Sequence, residues 1–504
     1  MATTITIDPV TRLEGHLKIN VEVDQDTVND AWATGTLFRG FETILVNRPP
    51  EDAQHITQRI CGVCPVPHGL AAVMALDSAY RVTPPANARI MRNLVLGANF
   101  IQSHILHFYH LSLPDFVDGP DMPPWQPSWG EDKRFSDSEN SSLVQHYVTA
   151  LEMTRKAHEM GALFGGRMPH PPTYVAGGFT TTPRADRITK FKRYLESDLL
   201  PFIRNIYLKD ADQLAKKYPD YFQIGRGCGN LLSFGVFDLD AAGNTRLLKR
   251  GRAVNGSRAV QSVDINQITE QVAYSWYADR TNNLRPASGA TEPQYPKGQA
   301  YSWSKAPRYG GVPYEAGPLA RMWVNGDYTN GISVMDRHMA RARETLKIAE
   351  AMLSWVGQLN AQGPVYTRPS VPSSAISYGL TEAPRGALGH WLNISGGRIS
   401  RYMVITPTCW NASPRDSSGT PGPIEQALVN TPVDDADEPV EVLRVIHSFD
   451  PCLSCAVHVM RPAKGAKVFI LNHSHGEDAG HTHDLGHSHG SAHDQHLDND
   501  DGQS

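Results

Sequence analysis

No run of about eighteen apolar residues, the length that marks a membrane-spanning helix, occurs anywhere in the sequence, so no span of its own is expected. Nor is there a block of Lys and Arg. With a formal net charge of −5 and no basic stripe, a nucleic-acid partner is not expected. The start, Met1-Ala-Thr-Thr-Ile-Thr-Ile7, has no charged stretch leading into an apolar one and does not read as a signal peptide. If the protein is exported, a partner must carry the address; a cytoplasmic and an exported location both stay open. Cysteine is scarce, with six in 504 residues, far below the density of a disulfide scaffold. No internal repeat is found.

What is present is an ordinary globular composition, 40% apolar and 20% charged, long enough for a large core. Four of the six cysteines fall in two pairs of identical spacing: Arg59-Ile-Cys-Gly-Val-Cys-Pro-Val-Pro-His68 and Asp450-Pro-Cys-Leu-Ser-Cys-Ala-Val-His458. Cysteines at i and i+3 let one tight turn aim two sulfurs at one ion. If folding joins the pairs, four thiolates define one site. Spacing alone leaves a structural zinc and an iron–sulfur cluster open. The flanks add Arg59, His68, Asp450 and His458, with Glu14 and Arg385 on Gly- and Pro-punctuated turns elsewhere. A structural site needs no acid, base or pendant cation; a reacting site does. The lone Cys228 and Cys409 read as small buried hydrophobes.

Periodicity predicts two opening strands, around Ile5–Ile7 and Leu17–Val23, joined by a connection that carries Arg12 and Glu14. Helices are predicted over Gly69–Tyr80, Ala86 to about His110, Leu143–Leu163, Arg187–Leu208 and Met335–Leu359, forming one bundle. Residues 222–319, rich in Gly, Asn, Ser, Tyr and Pro, read as an excursion of small sheets and long loops. The stretch Ala375–His390 reads as irregular, with a strand over Ile399–Ile405 after it. The fold class is thus α+β: a large helical core with small peripheral sheets. From residue 459 the composition changes. Eight histidines lie between His473 and His496 among Gly, Ser and Asp, a stretch without the apolar residues needed to fold alone.

Four pieces in order along the chain, Arg12-Leu-Glu-Gly-His16, Arg59-Ile-Cys-Gly-Val-Cys64 with His68, Glu382-Ala-Pro-Arg-Gly386 and Asp450-Pro-Cys-x-x-Cys-x-x-His458, resemble the large subunit of a nickel–iron hydrogenase. The match is specific jointly and spans nearly the whole chain. The resemblance implies the hydrogenase large-subunit fold over residues 1–458 and reversible, heterolytic splitting of H2 into protons and electrons. It implies nickel held by Cys61, Cys64, Cys452 and Cys455. Cys61 and Cys452 would be terminal, while Cys64 and Cys455 would bridge to an iron carrying one carbon monoxide and two cyanides. Soft thiolate suits such metals. Pro384, Arg385 and Thr408 would line the cyanide pocket.

The same resemblance offers the Cys452 thiolate and the Arg385 guanidine as bases, the latter against arginine's habit of staying protonated, and Glu14 as the next proton carrier. It places Asp450 opposite Arg385 or Arg59, and Asp115 near the pendant arginine. Glu42, the Val404 carbonyl and His458 would hold magnesium. Its implied partners are an iron–sulfur small subunit, nickel-insertion proteins and a maturation protease cutting between His458 and Val459. That cut would remove residues 459–504, a solvated propeptide or a nickel-collecting segment. Pro65 departs from the family, which more usually has Thr there. The competing readings are a non-catalytic protein with a four-cysteine zinc site and a metal-free relative from a respiratory complex.

Overall fold

The computed structural model describes residues 3–126, 128–129 and 132–456. Its first sheet is an antiparallel meander of β1 (Thr3–Ile7), β2 (Leu17–Asp24) and β3 (Thr27–Gly35). Along β2 the buried residues Leu17, Ile19, Val21 and Val23 alternate with polar ones, so one face meets the core. The bridge between β1 and β2 is the Arg12–Glu14 connection; β3 is an addition to the predicted pair.

The helical core holds α1 (Pro65–Tyr80), α2 (Ala86–Leu106), α3 (Asp137–Gly165) and α4 (Val334–Gly357). α1 begins at Pro65, four residues earlier than predicted. Proline suits the first helical position, where its missing N–H costs nothing. α2 does not stop at Leu106 but passes into one wide turn, His107–Ser112. α3 starts six residues early because Ser136 and Glu139 form a capping box. The helix predicted to end at Leu208 runs on to Lys217. It passes through two wide turns, Tyr194–Leu199 and Ile203–Tyr207, on either side of Pro201, which has no amide to give.

The largest departure lies at 374–405. Instead of irregular chain there are three antiparallel strands, β4 (Ser374–Ala383), β5 (Gly386–Ser395) and β6 (Arg398–Ile405). Glycine, which suggests a break, here permits contact. A Cβ on Gly379 would stand 2.7 Å from the Ala75 amide and nearer still to the Ala71 carbonyl, so β4 lies against the backbone of α1. Ala383 pairs with Gly386, which leaves Pro384 and Arg385 as the tip of the hairpin.

Residues 222–319 do form small sheets. Leu231–Ser233 pairs with Glu315–Ala316 and Gly251–Ala253, and Ile268–Gln271 pairs with Ala306–Tyr309. Cys409 is buried as expected, whereas Cys228 is half-buried. Among the described residues no helix is long and apolar enough to cross a membrane.

Candidate metal centre

The two cysteine turns meet. Cys61 Sγ lies 3.3 Å from Cys452 Sγ across 391 positions of sequence. The sulfurs of Cys61, Cys64 and Cys452 all fall within 4.8 Å of one another, and each residue is at most 1% exposed. No disulfide joins them. Cys61 Sγ accepts the amide N–H groups of Val63 at 3.3 Å and Cys64 at 3.2 Å, so the turn feeds positive dipoles to a sulfur that needs negative charge. Three buried, clustered sulfurs without a disulfide are the donor set of a soft metal ion. The backbone of Cys455 lies in the short helix Leu453–Ala456, one turn beyond Cys452. His458 and Val459 lie outside the described residues.

The second turn is seated on the first connection of the chain. Glu14 and Cys452 form a parallel bridge, with Leu453 N–H donating to the Glu14 carbonyl at 2.6 Å. Gly15, at φ +87°, is required twice over. A side chain there would be strained, and its Cβ would stand 2.8 Å from the Leu453 carbonyl carbon and closer to the Ser454 amide. The Glu14 carboxylate turns toward the other turn: Oε1 is 4.0 Å from the Cβ position of the exposed Gly62. Glu14 therefore stands between both turns and the surface. The Cys452 amide donates to Thr408 Oγ1 at 3.0 Å, which leaves the Thr408 hydroxyl proton free to point elsewhere.

Arg385, at the hairpin tip, is 1% exposed. Its Nη2 lies 2.8 Å from Asp450 Oδ1, and its Nη1 donates to Ser103 Oγ at 3.4 Å. Burial pulls the guanidinium down, but Asp450 and the Cys452, Cys64 and Cys61 sulfurs overcome it and hold it well above the usual arginine value. Burial pushes the Asp450 carboxyl up, against the cations of Arg385 and Arg341. Of the two partners expected for Asp450, Arg385 is the one it has. Arg59 turns an exposed side chain outward, and its carbonyl accepts from Arg39.

Asp115, expected near the pendant arginine, pairs with Arg12 and with His447 Nδ1, the latter at 2.6 Å. Burial raises its carboxyl, yet Arg12 and the bond from His447 hold it well below the usual carboxylate range. Through His447 it anchors the segment that precedes Asp450. His68 is fully buried, with Nδ1 3.2 Å from His390 Nε2, whose Nδ1 meets the Tyr402 hydroxyl at 2.8 Å.

A second cluster surrounds Glu42. Its Oε1 accepts the Val404 amide at 2.8 Å, and its Oε2 accepts the Thr291 hydroxyl. Lys305 Nζ sits 3.5 Å from Glu42 and 3.3 Å from Glu270. Burial, opposed by Lys305 and reinforced by Glu42, pushes the Glu270 carboxyl up to about 7. Glu270, Thr291 and Lys305 come from the 222–319 excursion, which thereby gains a role that no local sequence signal carries.

A family model described as nickel-dependent hydrogenase matches residues 39–128 and 121–458, and one described as HoxL-like matches residues 4–33. The periplasmic [NiFeSe] hydrogenase large subunit of Desulfomicrobium baculatum is 41% identical over 92% of this chain and 96% of its own. The hydrogenase-2 large chain of Escherichia coli K12 is 33% identical over 91% and 98%. The solved Ni-Fe-Se hydrogenase of Desulfovibrio vulgaris Hildenborough superposes with a TM-score of 0.88 at 43% identity, over 91% of this chain and 100% of that one. The selenium in those names belongs to those proteins; all four paired positions here are cysteine. Neither the zinc scaffold nor the metal-free relative is favoured by these matches. The chain belongs to the nickel-dependent hydrogenase family, as the catalytic large subunit of a nickel–iron hydrogenase that works with an associated small subunit.

Proposed function

We propose that Cys61, Cys64, Cys452 and Cys455 hold the nickel–iron centre, with Cys61 and Cys452 terminal on nickel and Cys64 and Cys455 shared with iron. The convergence of buried sulfurs from opposite ends of the chain is the observation that supports this. When bound, the centre supplies a soft, redox-active pair that polarises dihydrogen and takes up its electrons. One carbon monoxide and two cyanides complete the iron, within a pocket lined by Pro384, Arg385 and the Thr408 hydroxyl.

The protein's own groups divide the rest of the work. Arg385, held as a cation by Asp450 and the sulfurs, cannot readily take a proton. Its part is to stabilise negative charge and exclude water. The Cys452 thiolate accepts the proton at Sγ. Glu14 takes it on one carboxylate oxygen and releases it from the other toward solvent, since a carboxyl group can both accept and donate. Arg59 and His68 support the first turn from outside the ligand set, and Asp115 steadies the second. Electrons leave to iron–sulfur clusters of the small subunit.

Glu42, the Val404 carbonyl and His458 are proposed to hold magnesium. Glu42, buried with Glu270 and Lys305, offers the carboxylate oxygen that a hard cation takes. Residues 459–504 are proposed to be cut off after His458 by a maturation protease once nickel-insertion proteins have acted; the family match ends at residue 458. Infrared spectroscopy of the purified two-subunit enzyme tests the core of this reading. Stretching bands of one carbon monoxide and two cyanides support it; a spectrum without them overturns it.

A further inference from the structure

The ligand set comes from two turns separated by most of the chain, so something must hold the turns at the distance one metal ion requires. The bridge from Glu14 and the hydroxyl of Thr408 seat the second turn, but on segments other than the first. The side chain of Arg39 reaches both. Its Nη1 donates to the Ile60 carbonyl at 2.7 Å and to the Ser454 carbonyl at 3.1 Å, and its Nη2 donates to the Arg59 carbonyl. The first and last of these acceptors directly precede Cys61. Ser454 lies between Cys452 and Cys455 in the second turn.

The guanidinium is aimed by its own neighbours. Gly40, at φ +72°, turns the chain so that Phe41 comes under Arg39, with the guanidinium carbon 4.6 Å from the ring centroid. Phe41 itself is buried in one cluster with Ile60, Cys61, Cys64 and Cys452. The arginine is thus stacked on a ring that packs against the sulfurs, with its planar fork spread over three carbonyls. A lysine ammonium is a point donor on a flexible stem and cannot reproduce that fork.

We infer that Arg39 is a positioning residue that clasps the two cysteine turns at metal-binding separation, so that nickel retention depends on a side chain outside the ligand set. This rests on the reading that the four cysteines hold nickel. The test compares wild type, Arg39→Gln and Arg39→Lys as the purified two-subunit enzyme, by two measurements. The first is the rate of nickel release to EDTA. Arg39→Gln is expected to release nickel about tenfold faster or more, the equivalent of losing one to two hydrogen bonds, with Arg39→Lys between the two. The second is amide hydrogen exchange, expected to rise in the peptides covering 59–64 and 450–456 and to stay unchanged elsewhere.

Wild-type release together with wild-type exchange in Arg39→Gln overturns the clasp. If Arg39→Gln does not accumulate as a folded complex, Arg39→Lys carries the same two measurements, and its equality with wild type in both overturns it. If wild type itself holds no nickel, the metal reading falls, and exchange alone decides whether Arg39 ties the turns.

Discussion

Arg385 Nη2 and Asp450 Oδ1 lie 2.8 Å apart, with side chains 2% and 1% exposed. The pair joins the tip of the β4–β5 hairpin to the residue two before Cys452. Asp450 takes a left-handed φ of +56°, which turns the chain into the second cysteine pair. One ion pair thus fixes both the pendant cation and the approach to a ligand.

Removing one partner should be worse than removing both charges. Arg385→Ala leaves the buried Asp450 carboxylate with Arg341 as its remaining cation and is expected to cost up to about 3 kcal/mol in denaturant melts. H2 oxidation should fall at least about a hundredfold, the scale of losing one aimed charge in a dry site. The double variant Arg385→Gln with Asp450→Asn should recover most of the stability and little of the activity. Equal activity in the double variant and wild type would remove the electrostatic role.

Glu14→Gln keeps the backbone bridge to Cys452 and removes only the titrating group. Nickel and iron contents are expected to match wild type, while turnover drops by about 10²–10⁴, the range for a lost general acid–base group. Exchange between D2 and water protons should fall in parallel. Normal exchange would show that the proton leaves by another path.

Gly15→Ala should act through the second turn. The left-handed φ and the contact with Leu453 and Ser454 leave no room for a methyl group. The expected outcome is a folded chain, by far-ultraviolet circular dichroism, with nickel content well below wild type. Wild-type nickel in this variant would mean that the Glu14–Cys452 bridge is dispensable.

His68 gives the fold an acid limit. Burial drives its imidazole down to about 4, with Cys61 opposing and Arg39 reinforcing. The unfolded chain takes up this proton near the ordinary histidine value of about 6.5. Between these two values the unfolded state therefore binds more protons, and stability falls as pH falls. At full effect the loss is about 3 kcal/mol. His68→Gln, which keeps a polar partner for His390, should make the decline between pH 6.5 and pH 4 shallower in melts, the other buried histidines keeping their share. An unchanged pH profile would remove His68 as its source.

The legible parts of the site were those with a chemical signature in short range. The two cysteine pairs show their spacing, and Arg385 shows its turn through Pro384 and Gly386. The strands flanking that turn were hidden because Gly379 and Gly389 look like breaks, whereas Gly379 is there to admit the backbone of α1. Glu270 and Lys305 were hidden for another reason: Lys305 meets Glu42 and Glu270 only through tertiary packing. Arg39 is harder still to read, because its partners are backbone carbonyls, which every residue offers. Asp115 was visible as an acid, but its pairing with Arg12 and His447 depends on where the wide turn after α2 sets it.

Elemental analysis of the purified two-subunit enzyme, wild type beside Cys61→Ser, addresses the metal centre most directly. One nickel per large subunit is expected in wild type, with iron beyond that of the small subunit, and nickel should be lost in Cys61→Ser. One zinc per chain and no nickel in wild type, or full nickel in Cys61→Ser, would contradict a nickel–iron centre built on these sulfurs.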